Sequence, residues 1–544
     1  MQFMREQVLP QMPKVEAKDY GVLTGLLRSA GELGLLMIDV PEAGGGLGLD
    51  KTTSMLVGEA TGWLGSYTVT QMAHTGIGTL PIVWFGNAEQ KARLLPALAT
   101  GEKIAAYALT EPGSGSDALG AKTKAVLSED GESWILNGSK LYITNAAFAD
   151  VFTVFAKVDG EKFTAFLVEK GTPGLTVGPE EHKMGIRGSS TCPLYFEDAR
   201  IPKANVLGEI GRGHKIAFNI LNYGRLKLAA MGVGAMKEQL QNATRFAQER
   251  KQFATPVIQF GLTREKLAHM AAITYAVESM AYRTSGLVDA VVEDEDKTSE
   301  AYSAKVIAAI EEYAIEASIM KVFGSEALSQ LLDDALQIHG GSGFIEEYPV
   351  EAAYRDSRVN RIFEGTNEIN RILIANMLLK RAAKGGLGLM AGADSLAPAA
   401  AREGGDGLAA EADTAEALKR LVRYALKVAT EAHGDQLEAR QEILASVADV
   451  VMDAFALDSC ITRTRQGAAL DPARVAMVKL YAQEAHARGL ERIRKVLCAC
   501  TQGAALATHL ARVEAAAPFV PYDPLAVREA IMKGVEAAGG YPQL

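Results

Sequence analysis

The hydrophobic period of this chain changes twice, and that limits its fold more than any other feature. Up to about Gly101, apolar residues recur at helical spacing, with Leu23, Leu26, Leu27, Ala30, Leu33 and Met37 on one side and breaks at Gly44, Gly45, Gly46 and Pro81. From about Lys103 to Asn205 the pattern is strand-like. Val151 to Val158 and Lys162 to Val168 flank a hairpin signal at Asp159, Gly160 and Glu161, and Asp130-Gly131 and Asn137-Gly138 predict two further turns. From about Gly213 to Ala382 helical spacing returns, as at Leu221, Leu228, Met231, Ile307, Ile310 and Ile315. A Gly- and Ala-rich stretch then reads as a linker. Leu418, Leu421, Val422, Ala425 and Val428, then Ile443, Leu444, Val447, Val450 and Val451, trace further helices. The expected fold is α+β, mostly α. A helical N-terminal domain (1–102) precedes a small antiparallel β-domain (103–212) and a helical bundle (213–383); a linker (384–410) and an extra C-terminal helical domain (411–544) follow.

Composition removes several classes of function. With 48% hydrophobic and 22% charged residues, the 544-residue chain lacks the signature of disorder. A net charge of -10, from 56 basic and 66 acidic residues, comes with no basic run dense enough to neutralise a nucleic-acid backbone. Cys192, Cys460, Cys498 and Cys500 make no disulfide framework, and no Cys or His pair has metal-ligand spacing. A reducing, cytoplasmic setting is expected, since the start at Met1 carries no signal or transit profile. The charge-free window from Ala60 to Ala88 exceeds the ~20 residues that span a bilayer. Gln71, His74, Pro81 and Asn87 within it favour a protein core over an integral membrane segment.

Isolated patterns say little. Gly386 to Ala391 matches a relaxed dinucleotide fingerprint but follows a helix, and His339 to Gly343 has an esterase-like loop in a chain without a nucleophile elbow. Tyr107 to Asp117 is more informative: a strand-like run feeds a Gly/Ser loop whose amides and hydroxyls can wrap a polar ring or a pyrophosphate. Together with Leu141 to Asn145, Met184 to Gly188, Arg250 to Phe253, Gln337 to Gly341 and Ile362 to Thr366, in that order, this segment resembles the acyl-CoA dehydrogenase family. The resemblance spans roughly residues 1 to 382. With the helical tail and the run Ile362 to Arg371, it is most similar to the very-long-chain branch.

The resemblance implies FAD as cofactor, fatty acyl-CoA as substrate, electron-transfer flavoprotein as electron acceptor, and a homo-oligomer, dimer or tetramer. It implies that Tyr107, Leu109, Thr110 and Ser116 line the flavin, that Tyr142 stacks on it, and that Thr144 bonds its N5. Arg250 and Phe253 from a neighbouring subunit, with Gln337, Gly341, Thr366 and Glu368, hold the rest of the cofactor. Ser116, Asn222, Arg225, Gly365 and Gly78 are implied on the substrate side, with Arg225 and the weaker Asn222 at the CoA portion.

The chemistry explains the choice of Glu364. Removing the α-proton of a thioester needs a positioned base, together with donors for the developing enolate oxygen. Glu364 precedes Gly365 and Thr366 at the expected start of a helix, where free amides are at hand. A related acyl-CoA oxidase and a non-catalytic scaffold on the same fold stay open as alternatives, with Glu364 arguing against the scaffold. The small residues from Ala73 to Gly78 predict room for a long acyl chain, and the resemblance to the very-long-chain branch implies that Gly78 lies beside the deep end of that slot, with Pro81 shortening it.

Overall fold

A computed structural model describes the chain except residues 298, 394–395, 397–406, 468 and 543–544. Part of the expected linker therefore lies outside the described residues. The chain divides into two compact units. The first comprises Met1–Gly234, Thr284–Ala317 and Arg355–Glu364; the second comprises Ala235–Arg283, Ser318–Tyr354 and Gly365–Leu544.

In the first unit, α1 (Tyr20–Glu32) is capped by Asp19, whose carboxylate accepts from the Val22 amide at 3.1 Å. Leu23, Leu26, Leu27 and Ala30 are buried along its length, as their spacing predicts. The stripe overruns the helix at Leu33, which is 56% exposed, because α1 stops at Glu32 and Gly34 turns the chain with φ 77°. Asp50 caps α2 (Lys51–Thr61). The charge-free window folds as α3 (Gly65–Met72), a π-helical turn over Ala73–Gly78 and a short helix, Leu80–Phe85, with Pro81 in its first turn. Among the described residues no helix is long and apolar enough to cross a membrane. His74 is buried in the turn: its Nδ1 accepts from the Ala105 amide at 3.1 Å, which leaves Nε2 to donate to Leu98 O at 3.0 Å. A capping box between Asn87 and Gln90 opens α4 (Ala88–Thr100).

The same unit holds an eight-stranded sheet in the order β6-β7-β3-β2-β4-β5-β8, with β1 paired to β4. The strands are β1 (Ala105–Ala108), β2 (Lys124–Leu127), β3 (Ser133–Thr144), β4 (Val151–Val158), β5 (Lys162–Glu169), β6 (Leu175–Val177), β7 (Thr191–Pro202) and β8 (Val206–Leu207). The β4–β5 hairpin turns at Asp159 and Gly160, and Gly131 turns the chain between β2 and β3. Two findings depart from expectation. The largely antiparallel sheet includes parallel pairings of β1 and β2 with β4. Asn137-Gly138 is no turn but a bulge within β3: the register against β7 slips between Leu136 and Gly138, and a Cβ on Gly138 would lie 2.7 Å from Thr123 Oγ1.

Two long helices, α5 (Gly213–Glu249) and α6 (Gly261–Val292), contribute to both units. The second unit adds α7 (Ala314–His339), α8 (Asn367–Ala383), α9 (Ala409–His433), α10 (Gln441–Arg465) and α11 (Pro472–Cys500). The predicted stripe of Leu418, Leu421, Val422, Ala425 and Val428 is buried. Arg371 of α8 ties the tail to the bundle, forking onto Glu326 of α7 with two 2.7 Å bonds while its Nε reaches Asp449 of α10 at 2.7 Å.

A buried histidine, His74, and a half-buried one, His269, give the fold opposite dependences on pH. His269 lies between Asp334 at 3.7 Å and Glu484 at 3.5 Å; burial opposes its charge, but the two carboxylates hold its pKa up to about 9. Burial pushes His74 down to about 4. The His269 contribution is complete below the unfolded pKa of ~6.5 and is lost as pH rises through 9. The His74 contribution is complete above ~6.5 and is lost as pH falls through 4, each with a slope of up to about 1.4 kcal/mol per pH unit. Stability measured by chemical denaturation should therefore peak near pH 6.5, and His269→Gln should flatten the alkaline limb. An unchanged alkaline limb in that variant would refute the assignment.

Candidate active site

Glu364 follows a 3-10 turn over Arg358–Arg361 and takes φ 58°, in the left-handed region that an unbranched carboxylate side chain rarely occupies; Gly365 follows at φ 81°. The conformation is held from α5. Arg225, 6% exposed, donates through Nε to Glu364 O at 3.0 Å and through NH1 to Asn222 Oδ1 at 2.9 Å. One residue earlier, a Cβ on Gly224 would stand 3.1 Å from Glu364 Oε2, so only glycine lets the carboxylate rest on the helix without displacement. From β1, Tyr107 is buried with its hydroxyl unpartnered. Burial, and after it the Glu364 charge, pushes its pKa well up, so the phenol stays protonated.

As expected, Glu364 precedes a helix start: α8 begins at Asn367, with Thr366 as the cap accepting from the Ile369 amide at 3.3 Å. Arg225, assigned by resemblance to the CoA portion, is buried, and its Nε and NH1 bonds go to the base loop and to Asn222.

In the second unit, Lys321 Nζ donates to Gly365 O and Asn367 Oδ1, both at 2.6 Å, and Asn370 Nδ2 donates to Gly365 O at 2.9 Å. Glu368 lies in the first turn of α8, where its own amide and the Thr366 hydroxyl lower its pKa. Arg250 and Phe253 border a two-stranded ribbon. Phe253 is 92% exposed at φ 51°, and Gln337 and Gly341 are exposed at and just beyond the end of α7.

The segments that resemble a flavin surface all fall in the first unit, where one buried ion pair joins them. Lys140 of β3 is 0% exposed; its Nζ donates to Glu111 Oε1 at 2.7 Å and to Leu109 O at 3.3 Å. Glu111 also accepts from the Lys122 amide at 2.6 Å, the Thr123 amide at 3.1 Å and the Thr123 hydroxyl at 2.6 Å. The Leu141 amide donates to Thr110 O at 2.8 Å. The loop carrying Leu109, Thr110 and Ser116 is thereby fixed to the strand end carrying Tyr142 and Thr144. Burial drives the Lys140 pKa down to about 8 despite Glu111. Tyr142, 60% exposed at φ 59°, sits where the β3–β7 register slips between Lys140 and Ile143, so its ring is presented outward. Gly113 and Gly115 have nothing within 4 Å of a Cβ position, which leaves the loop backbone open to a ligand. An outward aromatic ring beside hydroxyls and open backbone suits a flavin.

Sequence reasoning missed Lys140, Glu111, Lys321 and Gly224. A lysine at an inward position of an alternating strand was the one available signal. At Gly78 a Cβ would meet the Ala105 backbone at 2.8 Å, so that side of the residue packs against β1, whereas Gly76 has open space around its Cβ position.

Comparison with known proteins accords with this geometry. Residues 1–102, 106–199 and 211–379 match the acyl-CoA dehydrogenase N-terminal, middle and C-terminal domains, and residues 417–514 match a further C-terminal domain of that family. The chain is 47% identical over 548 residues to a probable acyl-CoA dehydrogenase of Bacillus subtilis (strain 168), covering 99% of this chain and 91% of that protein. It is 44% identical over 355 residues to the human mitochondrial very long-chain specific acyl-CoA dehydrogenase, spanning 63% of this chain and about half (51%) of that protein. A crystal structure of an acyl-CoA dehydrogenase complexed with FAD from Bacillus anthracis aligns with a TM-score of 0.97 at 44% identity, covering 99% of this chain and 94% of that one. The chain belongs to the acyl-CoA dehydrogenase family and is an FAD-dependent oxidoreductase.

Proposed function

We propose that the chain converts medium-to-long-chain fatty acyl-CoA to trans-2-enoyl-CoA, with Glu364 as the base. The observation that supports this most is the Glu364 carboxylate, lodged over Gly224 beside a protonated Tyr107 and clamped at its backbone by Arg225. Glu364 takes the α-proton of the thioester as the bond between the α and β carbons becomes double. FAD, when bound, supplies the acceptor for the hydride leaving the β carbon. Thr110, Ser116, Tyr142 and Thr144 hold the ring system in this reading, and Arg250, Phe253, Gln337 and Gly341 hold the remainder across a subunit boundary of a homo-oligomer. Arg225 fixes the base loop, so that little reorganisation is left for the reaction itself. Electron-transfer flavoprotein is the proposed electron acceptor, and the cytoplasm the proposed setting.

Three variants test this. Glu364→Gln keeps volume and shape but removes the base; it should retain FAD and lose roughly 10²–10⁴-fold or more in turnover, and near-wild-type bleaching by acyl-CoA under anaerobic conditions would move the base elsewhere. Arg250→Ala should lower the flavin-to-protein absorbance ratio and subunit association together, and an unaffected ratio rejects its cofactor role. Lys140→Met strands Glu111 without its buried counter-charge. It should weaken FAD retention while Lys140→Arg restores part of it, and stoichiometric FAD in the methionine variant would show that the pair does not position the flavin loop.

A further inference from the structure

The run Met184 to Gly188 is among the family-like segments, yet the proposed reaction gives it no role. It contains a strained turn. Ile186 takes φ 46°, a left-handed conformation that a β-branched residue keeps only when its surroundings hold it there. The holders come from the last turn of the helix Pro349–Ser357. The Ile186 amide donates to Asp356 Oδ1, and Arg355 NH1 donates to Met184 O at 2.9 Å. Between these two bonds the backbones touch, since a Cβ on Gly185 would stand 2.5 Å from Arg355 O. The far end of the run is held as well. The Gly188 amide donates to Ser66 Oγ at 3.0 Å, and a Cβ on Gly188 would stand 2.5 Å from Val15 O.

The turn stands between the two halves of the site. On one side, the chain runs from Asp356 through the 3-10 turn Arg358–Arg361 straight into Glu364. On the other, the Ser189 hydroxyl and amide donate to Ile186 O at 2.8 and 3.2 Å. The Asn145 amide then donates to Ser190 O at 3.1 Å, and Thr191 pairs with Thr144 across β7 and β3. A short, continuous path of bonds thus joins the base loop to the strand end that carries Tyr142 and Thr144. Every residue on it belongs to the first unit.

We propose that Asp356 is a positioning residue: it holds the Ile186 turn as a strap that sets the spacing between Glu364 and the flavin-facing strand end. The inference rests on the acyl-CoA dehydrogenase reading above. Proton removal at the α carbon and hydride departure from the β carbon cooperate only when the base and the hydride acceptor stand at a fixed separation around the substrate. Arg225 holds the base from α5, so the side that moves when the strap fails is the loop and its strand end. Without Asp356, Ile186 relaxes to negative φ and carries the chain leading to Ser190 and Thr191 with it. A glycine at this position has no such bias, because a positive φ costs it nothing.

The test compares Asp356→Ala, Asp356→Asn and the double variant Asp356→Ala with Ile186→Gly, each as the FAD-loaded full chain. The readouts are the flavin-to-protein ratio, amide hydrogen exchange over residues 184–190, kcat with an acyl-CoA, and loss of α-deuterium from a 3-thia-acyl-CoA, which has no β-hydride to give. Asp356→Ala should speed amide exchange and lower kcat, each by roughly tenfold or more. Its flavin ratio and α-deuterium exchange should stay within about threefold of wild type, because Arg225 still holds the base. Asp356→Asn keeps an acceptor oxygen and should lose less, and adding Ile186→Gly to Asp356→Ala should restore much of the lost kcat. If Asp356→Ala does not fold, Arg355→Met removes the tie at Met184 O and should show the same split at smaller size. Wild-type kcat in Asp356→Ala, a parallel fall of kcat, α-exchange and flavin ratio, or no recovery with Ile186→Gly overturns the proposal while the dehydrogenase reading stands. Wild-type protein that neither exchanges α-deuterium nor is bleached by any acyl-CoA overturns that reading and the proposal with it.

Discussion

A carboxylate in a left-handed turn has to be held there, and the clamp on Glu364 is the constraint that the site depends on. A non-glycine residue at φ 58° relaxes unless its surroundings over-determine it. Arg225 does this at the Glu364 carbonyl, and Gly224 leaves the space the side chain needs. The bond is made to the backbone oxygen and not to the carboxylate. Its desolvated guanidinium is in turn braced by Asn222. Within the second unit, Lys321 and Asn370 both donate to the Gly365 carbonyl.

The flavin-facing surface is built by the same means. Lys140 and Glu111 are both buried, and such a pair persists only when every polar atom finds a partner. Here the partners are the amides of Lys122 and Thr123, the Thr123 hydroxyl and the Leu109 carbonyl. A loop that would otherwise sample many conformations is thereby tied to one strand end. The bulge that follows turns Tyr142 outward without disturbing the buried residues on either side of it.

Buried charge recurs through the molecule in this form. Asp39 is shared by two lysines, Glu278 is met by Lys237 and Arg463 at 2.5 Å each, and Arg371 is shared by Glu326 and Asp449. Such clusters add little net stability but are costly to break, so they select one arrangement of helices over near alternatives. For the tail, Arg371 of α8 joins Glu326 of α7 to Asp449 of α10 through one guanidinium.

The order of helical and strand-like segments could be read from periodicity, because burial on one face imposes a period of 3.6 or 2 whatever the partner. The buried stripe on α9 and the β4–β5 hairpin followed from that pattern. Glu364 was found because its segment resembles a known family, not through any local signal. Local patterns failed where distant atoms decide: Asn137-Gly138 has turn chemistry, yet it forms a bulge inside β3 with Thr123 packed close against Gly138. Arg225 and Glu364 are 139 residues apart, and Lys140 and Glu111 are 29 apart. Sequence by itself determined which stretches bury a face and which residue types were at hand. Only the tertiary structure decided which charges meet, because desolvation and hydrogen-bond geometry depend on partners that chain order does not specify.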